Sequence, residues 1–314
     1  MVPAPAPRAS GYRRVVRIAT FNVKDLFPAR RPEHAPIVAK KLERLASDIR
    51  SARPDLLALQ EIGDVALLEG VAELLVDGRG APIYTVVPGA PDERGIGNAI
   101  FVAKKLTLRA TRVHSCDVLP FPVFSEGDPR PFTMPLRRAV VEAEVDGPFG
   151  PISLFCLHLK SNLPVKLKRA FDDAPFTSSR ERAEGSVRAL VLRTAEALFV
   201  RQLADARISA GGDVVVAGDM NDVDASVPVR TLKGDGDDRL VTVADRFPEH
   251  RRYSVIHRGG PMLIDHLLVS TRLVPALRSA NVENTQLRDH GPFVREAAPS
   301  EDSDHALVWA DLAT

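Results

Sequence analysis

Apolar runs of five to eight residues recur along the chain, mostly bounded by Gly, Pro or Asp. They are "VVRIATF", "DLLALQ", "IYTVV", "NAIFVA", "RAVVEAEV", "ISLFCLHL", "DVVVAG", "YSVIH", "LIDHLLVS" and "ALVWADL". Their length and β-branched content predict strands. Two longer stretches have helical spacing instead. From Ile37 to Ser51, residues Ile37, Val38, Leu42, Leu45 and Ile49 fall on one side. That helix ends before Pro54, because proline disfavours helix in the residue preceding it. From about Glu181 to Ala206, Val187, Leu190, Val191, Leu198 and Leu203 make an apolar stripe. "SSRE" is a capping box with Ser178 as N-cap, and "SAGGD" stops the helix.

Many strands and few helices predict two packed sheets with helices outside. Residues 1–13, rich in Pro and Ala, read as a disordered lead-in, and 14–314 as a single domain without repeat or linker. "PGAPDERGIG", "FPVFSEGDPRPFTMP" and "LKGDGDDR" read as long loops of the kind that carry function. The 314 residues are 45% hydrophobic and 26% charged, enough for a sizeable core. A net charge of +1 leaves any anion binding to local patches. The two cysteines, Cys116 and Cys156, make no disulfide framework, zinc site or redox motif. No apolar run spans a bilayer and no signal-peptide core is visible, so a cytoplasmic location is expected.

Candidate chemistry gathers where apolar runs end. "VVVAGDMND" runs into Asp219, Asn221 and Asp222. Taken alone it reads first as a turn, because Asp and Asn side chains bond nearby backbone. The same event recurs at Asn22, Glu61, His158, Asp265, and Asp304 with His305. Each has a bland reading as a turn, a solvated charge, a core histidine or a strand cap. Six such coincidences are less probable than one shared site. Carboxylate and amide oxygens suit a hard cation such as Mg²⁺ or Mn²⁺, and histidines beside it suit phosphoryl chemistry.

The ordered set "TFN … LQE … HLK … GDMND … IDH … SDH" resembles the endonuclease/exonuclease/phosphatase family, the DNase I-like fold. The resemblance implies a two-sheet, four-layer α/β sandwich with its site at one rim. It also implies Mg²⁺- or Mn²⁺-dependent hydrolysis of phosphate esters. By the same resemblance Asn22, Glu61 and Asp304 are metal-site residues. His158 contacts the scissile phosphate, Asp219 and Asn221 orient and activate water, and Asp265 orients His305. His266 is given no role.

Further candidates for the substrate phosphate are Asn98, Lys160, and one of Arg137 and Arg138, of which Arg137 is taken and the other is left as a surface charge. Basic residues after His158 (Lys160, Lys166, Lys168, Arg169, Arg180, Arg182) suggest an anion-facing rim. Arg246, Arg251, Arg252 and Arg258 form a second basic cluster. The expected partner is a phosphate ester, nucleic acid among them. With one Trp, three Tyr and Trp309 read as core, a single-strand specialist is disfavoured. A lipid phosphodiesterase is kept open only by Phe121, Phe124 and Phe132, and a phosphomonoesterase or a non-catalytic phosphate binder are further alternatives.

Overall fold

The computed structural model describes residues 15–120, 134–147, 150–166, 176–289 and 299–313. The lead-in, Lys168, Arg169, Phe121, Phe124 and Phe132 lie outside them. The first half of the chain runs β1 (Val15–Leu26), α1 (Ala35–Ala52), β2 (Leu56–Ile62), α2 (Val65–Leu74), β3 (Tyr84–Pro88), β4 (Gly97–Ala103), β5 (Leu108–His114) and β6 (Val140–Asp146). Next come β7 (Pro151–His158), α3 (Ser179–Ser209), β8 (Asp213–Asp219), α4 (Val227–Lys233) and β9 (Leu240–Thr242). The last strands are β10 (Val255–His257), β11 (Gly260–Met262), β12 (Asp265–Ser270), β13 (Leu277–Val282) and β14 (Val308–Ala313).

Two six-stranded mixed sheets result, ordered β13-β14-β1-β2-β4-β3 and β5-β6-β7-β8-β12-β9, with β10-β11 as a separate ribbon. This is the expected four-layer α/β sandwich. Each sheet has one parallel pair, β1 with β2 and β7 with β8. Every other pairing in the two sheets is antiparallel. A helix bridges each parallel pair, because parallel strands need a long crossover. The consequence is functional: two strand C-termini lie side by side in each sheet, and both pairs end in the polar residues singled out above.

The sequence alternates between two apolar environments. Ile18, Leu56, Ile100, Val141, Leu154, Val215, Leu267 and Val308 pack between the sheets. Their neighbours face outward: Ala19, Leu57 and Phe101 meet Leu45 and Ile49 of α1, while Phe155, Val214 and Val216 meet Val200 and Ala204 of α3. Strands covered on both faces need to be apolar throughout, which is why β4 and β8 are buried along their whole lengths.

Helix α1 closes with Arg53 in a left-handed conformation (φ 51) just before Pro54. At α3 Ser178 Oγ accepts from the Glu181 N–H, while Glu181 reaches back to the Thr177 N–H at 2.7 Å. Sequence periodicity misses α2, whose "VALLEGVAEL" is too evenly apolar to show a stripe; Asp64 caps it. It also misses edge strand β5, whose alternating burial leaves one face polar. Trp309 is only partly buried, with Arg17 stacked 3.8 Å above its ring and its indole N–H donated to Glu283. Both cysteines are free thiols. Among the described residues no helix is long and apolar enough to cross a membrane.

Gly218 precedes the polar end of β8 and lies at φ 152, opposite Leu157 of β7. A Cβ there would fall 1.9 Å from the Leu157 carbonyl oxygen. No side chain fits without prising the parallel pair apart. Gly218→Ala is therefore expected to cost on the order of 3 kcal/mol or more, a fall of roughly 5–10 °C in Tm. A thermal melt within two degrees of the parent would contradict this packing.

Candidate active site

Strand register builds half of the site. His158 stands opposite Asp219, and Asp265 opposite Asp219 on its other side, so three neighbouring strands present one polar row. Sheet one supplies the facing half. Asn22 is buried in β1 and its amide donates to Asp219 Oδ2 and to Glu61 Oε1, each at 3.0 Å. Glu61 reaches that position through an irregularity: the β2 ladder skips from Gln60 to Ile62, leaving Glu61 out of register at φ 65. A non-glycine in that region costs of order 1 kcal/mol or more and persists only where its surroundings hold it. Asn22 and the Asp25 N–H hold it here.

Asp219 uses one carboxylate oxygen in a turn contact and turns the other into the polar row. Its Oδ1 accepts the Asn221 N–H at 2.8 Å, the turn contact expected of such a sequence. Its Oδ2 accepts from Asn22, lies 3.4 Å from His158 Nε2 and 4.0 Å from His305 Nε2. Asn221, at φ 52, donates its amide to the Leu159 carbonyl and so pins the turn.

His305 is oriented from behind. Its Nδ1 lies 2.8 Å from Asp265 Oδ2, which also accepts the Ser254 hydroxyl at 2.6 Å. Ser254 Oγ in turn accepts the Ile264 and Asp265 N–H groups. The two histidines are driven apart in charge. Burial pushes His158 well below the usual histidine range, and the Arg138 charge adds to that. Burial alone would also lower His305, but Asp265, with Asp219 and Asp304 behind it, outweighs burial and lifts the ring to about 10. Burial, then the Asp265 charge, raises Asp219 above the ordinary carboxylate range. Burial thus disfavours charge on His158, whereas the carboxylates around His305 favour its imidazolium form. The buried Nδ1 of His158 has no hydrogen-bond partner among the described residues.

The donors present fit a hard divalent cation. Glu61, His158 and Asp219 each place a ligand atom within 4.8 Å of the other two, in an oxygen-rich setting. Two expected metal-site residues are engaged differently. The Asn22 amide oxygen accepts the Lys24 N–H, and Asp304 is ion-paired with Lys24.

The expected phosphate contacts need correction. Lys160 is buried, and its ammonium is committed to the Ser161 carbonyl and hydroxyl and the Leu163 carbonyl. Asn98 is buried in β4, donating to the Ala139 carbonyl. Arg137 is exposed in a bend before β6, whereas Arg138, expected at the surface, is buried and donates to the His158 and Leu159 carbonyls. Arg251 and Arg252 of the second basic cluster bind the Val282 and Phe247 carbonyls. His266 is buried against the Asp222 carbonyl.

Sequence reasoning missed the supports beneath the row. Arg193 of α3 grips Asp222 through two nitrogens at 2.7 and 3.0 Å and also donates to Asn162 and the Lys160 carbonyl. Glu196, one turn on, accepts the Lys160 N–H at 2.6 Å. A charged pair three apart on an otherwise apolar-facing helix side is the signal that could have marked them.

The chain matches the Endonuclease/Exonuclease/phosphatase family over residues 19–305. It belongs to that family. Solved structures show the same fold at low sequence identity. Truncated TDP2 of Caenorhabditis elegans has a TM-score of 0.58 at 15% identity, over 96% of this chain and 98% of that one. Mannosyl-6-phosphatase Bt3783 of Bacteroides thetaiotaomicron has 0.57 at 16%, over 94% and 98%. An endonuclease/exonuclease/phosphatase from Beutenbergia cavernae has 0.59 at 19%, over 96% and 72%. No curated protein sequence matches the chain. Members of the family are phosphoesterase hydrolases.

The raised pKa of His305 has a sign that can be checked. Its pairing stabilises the fold fully below about pH 6.5, the unfolded value, and that contribution is lost as pH rises through about 10. NMR of the imidazole nitrogens should show His305 protonated to pH 9 in the parent. In Asp265→Asn it should titrate at least two pH units lower. An unchanged midpoint would mean that Asp265 does not hold the proton.

Proposed function

We propose that this family member is a divalent-metal-dependent phosphodiesterase of nuclease-like type. The observation that carries the reading is the Asp219 Oδ2 atom, buried between the His158 and His305 rings and tethered to Asn22. Titratable groups whose environments push them apart mark acid and base roles. Asp219, with its proton affinity raised, is the base that takes a proton from the attacking water. His305 presents its Nε2–H to the phosphate oxygens, its charge held by Asp265. His158 offers a neutral ring to the same phosphate. Mg²⁺ or Mn²⁺, held by Glu61 beside Asp219, would supply positive charge to the non-bridging oxygens and lower the pKa of a water.

A phosphodiester is favoured by the charge on offer. It carries one negative charge where a monoester carries two, and Lys160 and Arg138 are committed to backbone carbonyls rather than to a second phosphate charge. The neutral chain and the sparse aromatics favour backbone contact over base stacking if the ester is a nucleic acid.

The test is hydrolysis of an aryl phosphodiester and an aryl phosphomonoester in parallel. Activity should require Mg²⁺ or Mn²⁺, vanish in excess chelator and favour the diester. Full turnover in chelator would refute the metal role, and a preference for the monoester would refute the substrate class. Asp219→Asn should lower kcat by roughly 10²–10⁴-fold or more while its melting temperature holds or rises, because a buried charge is removed. A folded variant within a few-fold of the parent rate would leave Asp219 only its turn contact.

A further inference from the structure

Lys24 occupies a place in the site that the proposed mechanism does not use. Between Asn22 and Leu26 the β1 ladder departs from its register with β2, and Lys24 and Asp25 adopt left-handed φ values of 49 and 48. Three contacts hold this bulge. The Lys24 N–H donates to Asn22 Oδ1 at 2.9 Å, the Asp25 N–H to Glu61 Oε2 at 3.0 Å, and the buried Lys41 ammonium to the Lys24 carbonyl at 2.5 Å. So held, the Lys24 ammonium pairs with Asp304, both side chains about a quarter exposed. The same residue thus takes up Asn22 Oδ1 and Asp304, two of the three positions that the family resemblance assigns to metal. Glu61 is left facing His158 and Asp219.

Resting on the metal reading above, we infer that Lys24 is the resident cation of the Asp304 position and limits this site to one divalent ion, held on the Glu61 side. Removing the ammonium opens a second position at Asp304. Lys24 is thus a positioning residue that sets metal stoichiometry.

The experiment counts Mn²⁺ bound per folded chain by electron paramagnetic resonance and calorimetry, without substrate. The parent is expected to bind one Mn²⁺ and Lys24→Met two. Lys24→Arg, which keeps the charge, should bind one, and so should Lys24→Met combined with Asp304→Asn. Two ions in the parent, one in Lys24→Met, two in Lys24→Arg, or two in the double variant would each overturn the inference while leaving a metal-dependent site intact. No Mn²⁺ in the parent would overturn it together with the metal reading. If Lys24→Met fails to fold, Lys24→Gln is counted in its place, and two ions in the parent alone suffice to refute the proposal.

Discussion

One carboxylate oxygen, Asp219 Oδ2, lies at the seam where the two sheets meet, and much of the local structure exists to keep it there. Burying an unpaired carboxylate is expensive. Asn22 donates to this one from the opposite sheet, and two histidine rings flank it. That one oxygen ties the sheets together at the rim as the apolar layer does farther in. Gly218 is required because β7 passes too close for a side chain just where β8 delivers the carboxylate.

Around this atom the protein separates two kinds of polar group. Within the polar row the buried His158 Nδ1 lacks a hydrogen-bond partner among the described residues, and His305 keeps its Nε2 toward the acidic oxygens. The groups beneath hold backbone and row in place. Arg138 caps the β7 carbonyls, Arg193 and Glu196 grip the backbone of Lys160 from α3, and Ser254 fixes Asp265. A half-satisfied buried network destabilises a core more than an apolar one would. Support of this kind holds reacting groups in place without further reorganisation.

Asp219 also shows why a turn signal and a site signal should not be set against each other. The Asn221 N–H fills one oxygen and thereby aims the other. The local bonding habit that makes Asp common in turns is what orients the carboxylate. Similar economy appears at Lys24, whose N–H anchors the Asn22 amide while its side chain neutralises Asp304. The family match establishes the fold and the hydrolase class.

From the sequence alone ten of the strands, helices α1 and α3 and the two-sheet sandwich were legible, and the polar residues that the fold gathers into one row stood out as candidates. They rest on local periodicity and on polar residues ending apolar runs, both visible in one dimension. Helices α2 and α4 and strands β5, β9, β11 and β13 were not: α2 is evenly apolar, β5 and β13 are partly exposed, and α4, β9 and β11 are too short to show a period. The alignment of His158, Asp219 and Asp265 in one row depends on register between strands far apart in the chain. So does the fate of the basic residues. Lys160, Arg251 and Arg252 read as a surface for anions and Arg138 as a surface charge, yet each is spent on backbone carbonyls that only folding brings within reach. A charge count along the chain records how many cations there are. Which of them remain available to a ligand is decided by long-range hydrogen bonding, and that is a property of the tertiary structure.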